Sequence, residues 1–196
     1  MPGTYKGAGT IIGLKDLHYA LLTKDDETGV TYETPVKIAP AIEATINPNA
    51  TFGTLFADDG PIDTAVDIGD IDVTLNVQDL SLETQAVLLG HTMVEGSGEL
   101  VRKTSDVPPY VAIGFKSQKS NGSYRYCWLL KGRFGQPTID RRTKEGTINF
   151  QTATITGKFL RRDYDEAWIR EADEDEGFEL GTGASWFDDV EPVTVP

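Results

Sequence analysis

The 196-residue sequence has one cysteine, two histidines and few basic residues, and each shortage excludes a class of protein. Cys127 alone cannot form an internal disulfide or a multi-cysteine zinc site. Eighteen Lys and Arg against 31 Asp and Glu give a formal net charge of −13. Binding to nucleic-acid phosphates requires a basic face, so the charge argues against that class and against attachment to an anionic membrane.

Long hydrophobic runs are missing as well. The longest apolar stretches, residues 111–115 and 126–130, have about five residues, whereas a membrane-spanning helix needs about 20. The first sixteen residues contain no signal-peptide pattern. We therefore expect a protein without membrane anchoring that is made in the cytoplasm.

Catalytic and cofactor-binding motifs are absent from the sequence. It has no phosphate-binding glycine loop, no dinucleotide-binding motif and no nucleophile elbow. His18 and His91 are isolated, so they predict neither a zinc site nor a base that activates Cys127. We expect no enzyme activity, cofactor or metal. A hydrolase that uses two carboxylates is the rival in this class, and only the abundance of acids supports it.

Acidic residues are concentrated at the C-terminal end. Residues 163–196 contain twelve acids and one base, whereas residues 1–162 are near neutral. Such runs are typical of solvated segments, but four aromatic residues interrupt this one: Trp168, Phe178, Trp186 and Phe187. We predict a β-sandwich domain over 1–162 and an acidic C-terminal segment over 163–196, which docks on its own body or on a neighbour.

Turn signals and alternating hydrophobic residues predict a mainly β domain of mostly antiparallel strands. Asn121-Gly122 separates two β-rich runs and predicts a hairpin with a two-residue turn. That turn would place Phe115 opposite Trp128. Cys127 would then lie on the more polar face of its strand.

Two further long strands are predicted over 64–77 and 146–162. In the first, the apolar positions change parity at Gly69-Asp70, which indicates a β-bulge. Its opposite face is polar and acidic. It includes Asp67, Asp70 and Asp72.

One helix flanks this β-structure. It is predicted over residues 81–89, because Ser81 can cap its start and Gly90 can end it in the left-handed conformation. Residues 47–63 are predicted as a long loop, because they are rich in Pro and Gly. Three apolar residues within it favour a functional loop over a disordered one: Phe52, Leu55 and Phe56.

Blocks spread over most of the chain carry a family resemblance. They lie at 12–20, 29–32, 35–41, 56–59, 79–90, 109–115, 121–134, 143–144, 151–157 and 186–187. In number and order these blocks resemble the major tail protein, or tail tube protein, of bacteriophages with long non-contractile tails. The match is strongest over 121–134. The chain departs from the family pattern at 164–168, where a turn containing Gly is usual.

The resemblance implies a structural virion protein with a tail-tube-protein-like fold, a β-sandwich or barrel flanked by a helix. Six copies would form a ring, and stacked rings would form the tail tube that conducts the genome into the host. Its partners would be further copies of itself, the tape-measure protein, and the tail-tip and terminator proteins. DNA would pass through the lumen without specific binding. The protein would reside in the virion tail, after assembly in the host cytoplasm.

Two groups of residues are candidates for these roles. Asp67, Asp70 and Asp72 are predicted to line the lumen, because an acidic wall repels phosphate. The alternative is that this face is the solvent side of the sandwich. The residues predicted to contact neighbouring subunits or rings are Phe52, Leu55, Phe56, Trp168, Phe178, Trp186 and Phe187.

Two alternative functions stay open at this point. One is another virion structural role, in head decoration or tail termination. The other is a carbohydrate-binding β-sandwich, for which Tyr124, Tyr126 and Trp128 could form an aromatic platform.

Overall fold

The computed structural model describes residues 9–137, 143, 152–176, 178 and 185–190, and one large antiparallel sheet organises them. The strands are β1 (Ile11–Asp26), β2 (Gly29–Tyr32), β3 (Val36–Lys37), β4 (Ala41–Ala57), β5 (Gly60–Val77), β6 (Thr92–Val94), β7 (Glu99–Val101), β8 (Val111–Lys119), β9 (Tyr124–Phe134), β10 (Ala153–Leu160) and β11 (Ile169–Asp173). The helix α1 spans Leu82–Leu89, and a 3-10 turn spans Glu174–Glu176. The prediction of a mainly β, antiparallel fold with a single helix is confirmed for the described residues.

The sheet runs in the order β2-β1-β8-β9-β10-β5-β4, with β3 added to β1 and β11 added to β9. It curls so that β1 approaches β4, and the main core lies inside the curl beneath α1. Strands β6 and β7 form a separate ribbon next to α1. The fold is therefore sandwich- or barrel-like. The largest fully buried residues of the main core are Leu17, Ile71, Leu75, Leu88, Leu89, Ile113, Leu129, Phe134 and Phe159.

The helix has the caps that the sequence predicted. The Ser81 hydroxyl accepts the N–H of Thr84 at 3.1 Å, and Gly90 closes the helix at φ +70°. A Cβ at Gly90 would lie 2.3 Å from the carbonyl oxygen of Val107, so the close approach of the two backbones requires glycine as well.

The β8–β9 hairpin exists, but its turn is longer than predicted. The N–H of Lys119 donates to the carbonyl of Ser123 at 2.9 Å, so three residues form the loop. Gly122, at φ +92°, ends the loop in a conformation that favours glycine. The two-residue turn expected from Asn-Gly was therefore wrong by one residue.

This one-residue difference gives residues 124–129 of β9 different partners, and a register shift between Val111 and Ile113 restores the expected pairing of Val111 with Gly132. Phe115 lies opposite Cys127, and Trp128 lies opposite Gly114. Cys127 points into the main core and is 3% exposed, and burial raises the pKa of its thiol. The predicted polar setting of Cys127 was wrong, because both faces of β9 are covered.

Residues 47–63 form strands and not the predicted long loop. They belong to a β4–β5 hairpin whose two-residue turn is Asp58-Asp59, with φ values of 49° and 64°. Pro48 is tolerated because β4 is an edge strand, where a missing N–H breaks no ladder bond. The density of Gly and Pro had concealed the alternation of Phe52, Thr54 and Phe56.

The bulge predicted at Gly69-Asp70 is confirmed. Ile71 pairs with Pro48 and Ile68 pairs with Ala50, so β5 carries one extra residue between these pairs. The third long strand is present as β10, which ends at Leu160; residues 146–151 of that prediction lie outside the described residues.

Strands β10 and β11 extend along the same side of β9. Leu160 pairs with Lys131, and Ile169 pairs with Leu129. The two partner positions on β9 are therefore two residues apart, whereas Leu160 and Ile169 are nine residues apart. Residues 161–168 leave the sheet as an excursion and return to it. This excursion coincides with the departure from the tail-tube family pattern.

We predict that Gly132→Ala destabilises the fold by about 1–3 kcal/mol, because the new Cβ would overlap a packed ring. That Cβ would lie 2.3 Å from the ring of Phe159, which packs edge-on against Phe134 in the core. Gly53→Ala is the matched control, since nothing lies within 4 Å of its Cβ position. Urea denaturation of both variants measures the difference. Equal stability of the two variants would contradict this account of the core.

Candidate assembly surfaces

The β4–β5 hairpin extends beyond the body of the protein. We define the arm as residues 50–68, the part of the hairpin beyond the bulge. All of its residues except Gly60 are exposed. The arm contains Phe52, Leu55 and Phe56, which are 69%, 59% and 68% exposed. A hairpin with both faces exposed has only marginal stability alone, so the arm is a segment that gains from a partner.

One face of the arm is apolar because it continues the core face of the sheet. Ala44 and Ile46 of β4 pack against the main core, and Phe52 lies on the same side of the strand, three alternations further on. Phe52 pairs with Val66, and Ile68 follows on that side of β5. The apolar face of β4 and β5 therefore extends beyond the end of the main core, which it covers only within the body of the protein.

The other face of the sheet carries the three predicted lumen residues. The bulge in β5 shifts the alternation of side chains by one residue. Asp70 and Asp72 therefore lie on the same face as Asp67, as the sequence indicated. Asp70 and Asp72 both pair with Lys158, which lies 3.0 Å from Asp72 Oδ1. Asn49 Nδ2 also donates to Asp70 at 3.1 Å and to Asp72 at 2.9 Å.

These contacts change the charge expected for this face. Hydrogen bonds from Lys158 and Asn49 lower the pKa of Asp70, and the same two donors lower the pKa of Asp72. Both carboxylates are therefore held in the charged form, but one lysine neutralises part of their charge. The sequence could not show this pairing, because Lys158 is far from both in the chain.

The four aromatic residues of the C-terminal segment lie against their own chain. Trp186 is 5% exposed, and its carbonyl accepts the indole N–H of Trp128 at 3.1 Å. Phe187 stacks on the ring of His18 at 4.5 Å, and Phe178 packs edge-on against Trp186. Trp168 packs against the main core. We call the described residues between 163 and 190 the strap.

This packing determines which of the predicted contact residues are accessible to another subunit. The side chain of Trp186 is used within its own chain, whereas the three arm residues are free of such contacts. Subunit contacts by Trp168, Phe178 and Phe187 stay predictions, since each is only partly buried. The strap also covers Tyr126 and Trp128, which are 4% and 0% exposed. Together with the partly buried Tyr124, they therefore form no open aromatic platform.

Buried charges hold the strap in place. Lys119, which is 1% exposed, binds Asp173 and also contacts Asp175 at 2.8 Å. Burial acts to raise the pKa of Asp173, but hydrogen bonds from Lys119 and Arg125 outweigh it and the pKa lies below its ordinary value. Burial likewise acts against the charged form of Lys119, but its two carboxylate partners raise the pKa of that amine above its ordinary value.

A second charged cluster holds the start of the strap. Lys131 bridges Asp25 at 2.7 Å and Asp163 at 2.9 Å. Arg162 is fully buried and donates to Asp165 at 2.9 Å. The sequence alone indicates only a general neutralisation of acidic residues by the bases of this region. Buried, paired positions of this kind have no local sequence signal, because the partners are distant in the chain.

Other site types have no candidate in the part of the chain that is described. Within it, no group of three or more His, Cys, Asp or Glu could hold a metal ion. Within the same residues, no helix is long and apolar enough to cross a bilayer. His91 is buried between Asp106 at 2.7 Å and Gln136 at 3.1 Å, where it fixes the segment that follows β7.

The geometry defines a mainly β protein with a projecting arm and a strap that is integral to its own body. No protein-family profile matches the sequence, and no curated protein matches it.

We predict that Lys119→Met lowers stability by about 1–3 kcal/mol at pH 7, because Asp173 loses the buried one of its two cationic partners and keeps only Arg125. In the wild type, the lowered pKa of Asp173 adds stability above pH ~4, and this contribution is lost as the pH falls further. The variant should therefore lose less stability than the wild type between pH ~4 and ~2. Urea denaturation at several pH values measures both effects, with the exposed Lys103→Met as control. Parallel acid profiles would contradict the pairing.

Proposed function

We propose that this protein is the tube subunit of a long, non-contractile bacteriophage tail. Copies form six-membered rings, and the rings stack into the tube that conducts the genome into the host. The observation that carries this proposal is the arm, whose apolar face continues a core face but has no core of its own chain to cover. The ordered sequence blocks that resemble tail tube proteins support the same reading.

The energetics of the arm favour self-assembly. Apolar patches of more than a few hundred Å² are rare on monomers and mark interaction sites. Phe52, Val66 and Ile68 are about half exposed or more on one face, and Phe56 and Ile62 add to the apolar surface near the tip. Burial of such area gains roughly 25 cal/mol per Å² before the cost of association. Each ring would repeat that gain at every interface.

The free edge of β4 also favours a closed ring. Among the described residues, β4 pairs only with β5 and leaves a 17-residue edge open. Long open edges promote uncontrolled strand pairing, and closure of a sheet into a shared barrel removes them. In this proposal the face that carries Asp67, Asp70 and Asp72 lines the lumen. Its hydrogen-bonded carboxylates would repel DNA phosphates and allow the genome to pass without specific binding.

The partners in this proposal are further copies of the chain, the tape-measure protein, and the tail-tip and terminator proteins, and the location is the virion tail. Another virion structural role, such as head decoration or tail termination, could use the same arm. It would give single rings or particle-bound copies in place of tubes. A carbohydrate-binding module loses its main support, since the strap covers two of the three platform residues.

We predict that Phe52→Ser/Val66→Ser abolishes assembly but leaves the fold intact. Both side chains are largely exposed, so the free energy of unfolding should change by no more than about 0.5 kcal/mol each. Concentrated wild-type protein should form rings or hollow tubes by negative-stain electron microscopy, and the variant should stay monomeric. Tyr164→Ser, at a 41% exposed residue outside the arm, is the control.

The outcomes separate the alternatives. Tubes from the double variant would exclude the arm as the assembly surface. Single rings that never stack would favour a terminator or decoration role.

We predict that Asp67→Lys/Asp70→Lys/Asp72→Lys slows genome ejection several-fold, because a basic lumen would bind phosphates. The control makes the same charge change on exposed acids elsewhere: Glu27→Lys/Glu95→Lys/Glu99→Lys. Ejection from purified particles carrying each variant measures the rate. If both triple variants eject at the wild-type rate, this face is not the lumen wall.

A further inference from the structure

The arm is acidic as well as apolar. Between Lys37 and Arg102 the chain contains eleven Asp and Glu and no Lys or Arg. Four of these acids lie on the arm: Asp58, Asp59, Asp63 and Asp67. Two arms packed against each other would bring these carboxylates together without a compensating base, and like-charge contacts of this kind oppose association. The arm therefore fits a surface that is basic and partly apolar.

One corner of the same chain has that chemistry. Lys37 and Lys116 both bind the carboxylate of Asp16, and Lys116 Nζ lies 2.7 Å from Asp16 Oδ2. Lys15 is adjacent, because it pairs with Lys116 across β1 and β8. We call Lys15, Lys37, Lys116 and Asp16 the lysine corner. Three cations around one anion leave an excess of positive charge on a protein whose net charge is −13.

The lysine corner is accessible and has apolar neighbours along β1 and β3. The side chain of Lys37 is 61% exposed. Ile11 and Ile12 precede the corner on β1 and are 50% and 65% exposed. In the described residues, the outer edge of β1 carries no strand before β3 joins it at His18. The corner thus offers positive charge, apolar surface and free backbone groups.

We propose that the arm of one copy docks on the lysine corner of a second copy. This inference rests on the proposed function and names the surface that receives the arm. The eight residues from Ala50 to Ala57 extend about 25 Å, so the arm can reach well across a neighbouring sheet. The acids at and near the arm tip, Asp58, Asp59 and Asp63, meet the corner lysines, and Phe52 and its neighbours meet the exposed isoleucines.

The strand order is consistent with this docking. Neighbouring strands are antiparallel throughout the path from β1 to β4, and the path contains an even number of strands. The β4 of one copy therefore runs opposite to the β1 of an equivalent copy placed beside it. Because arm and corner are different surfaces, the contact is head to tail, which generates rings or open stacks and not closed dimers.

Charge reversal on each surface tests the contact. The arm variant is Asp58→Lys/Asp63→Lys, and the corner variant is Lys15→Glu/Lys37→Glu. Each alone would face like charges across the interface and should need at least about tenfold more protein to assemble. A 1:1 mixture should assemble near the wild-type concentration, because the lysine arm meets the glutamate corner and the original arm meets the original corner. Sedimentation velocity and electron microscopy measure assembly.

Two controls make the result decisive. Lys24→Glu/Lys103→Glu changes the same charge on other surfaces and should assemble like the wild type. If near-ultraviolet circular dichroism shows that the corner variant is misfolded, Lys15→Gln/Lys37→Gln replaces it and should weaken assembly without being rescued by the arm variant.

The failures are distinguishable. If a folded corner variant assembles like the wild type, or the two charge-reversed variants fail to rescue each other, the lysine corner is not the receiver, although the proposed function stands. If the wild-type protein forms no rings or tubes at any concentration, the proposed function fails and this contact with it.

Discussion

The structure depends on a mismatch of length between β4 and β5 and the core beneath them. Within the body, Ala44, Ile46, Ile71 and Val73 cover a complete core. Beyond the bulge the same face continues through Phe52, Val66 and Ile68 with nothing below it. Burial of apolar area is the main favourable term in folding. This exposed surface can therefore gain that free energy only when another molecule binds to it and covers it. The proposed assembly role follows from that constraint.

Features set by local chemistry were predictable from the sequence. Ser81 and Gly90 mark the helix ends, and the parity change at Gly69-Asp70 marks the bulge, because caps and bulges depend on residues near each other in the chain. The hairpin at Asn121-Gly122 was predicted but its register was not, since one glycine can close a two- or a three-residue loop. The arm was hidden because Gly and Pro indicate loops, although an edge strand tolerates both.

The long-range pairings were beyond the reach of sequence patterns. Lys119 and Asp173 are 54 positions apart, and Lys158 and Asp70 are 88 apart, so no periodicity links them. The strap illustrates the consequence. Its acidic composition is typical of a solvated tail, yet Trp186 and the buried Lys119 cluster make its described residues an integral layer of the protein. The sequence likewise predicted that Asp67, Asp70 and Asp72 share one face of the sheet. It could not predict that Lys158 neutralises part of the charge on that face.

The excursion between β10 and β11 has a consequence for how this protein can vary. Both strands use the same edge of β9, and their registers are independent of the number of residues between them. A change of length at residues 163–165 would therefore leave the ladder bonds of β9 in place, provided that Asp163 and Asp165 keep their contacts with Lys131 and the buried Arg162. The sheet thus contains a position where the chain can change in length without a change of strand register, as long as these charged contacts are kept. In a repeating assembly, one such insertion would be displayed at every subunit with the periodicity of the lattice.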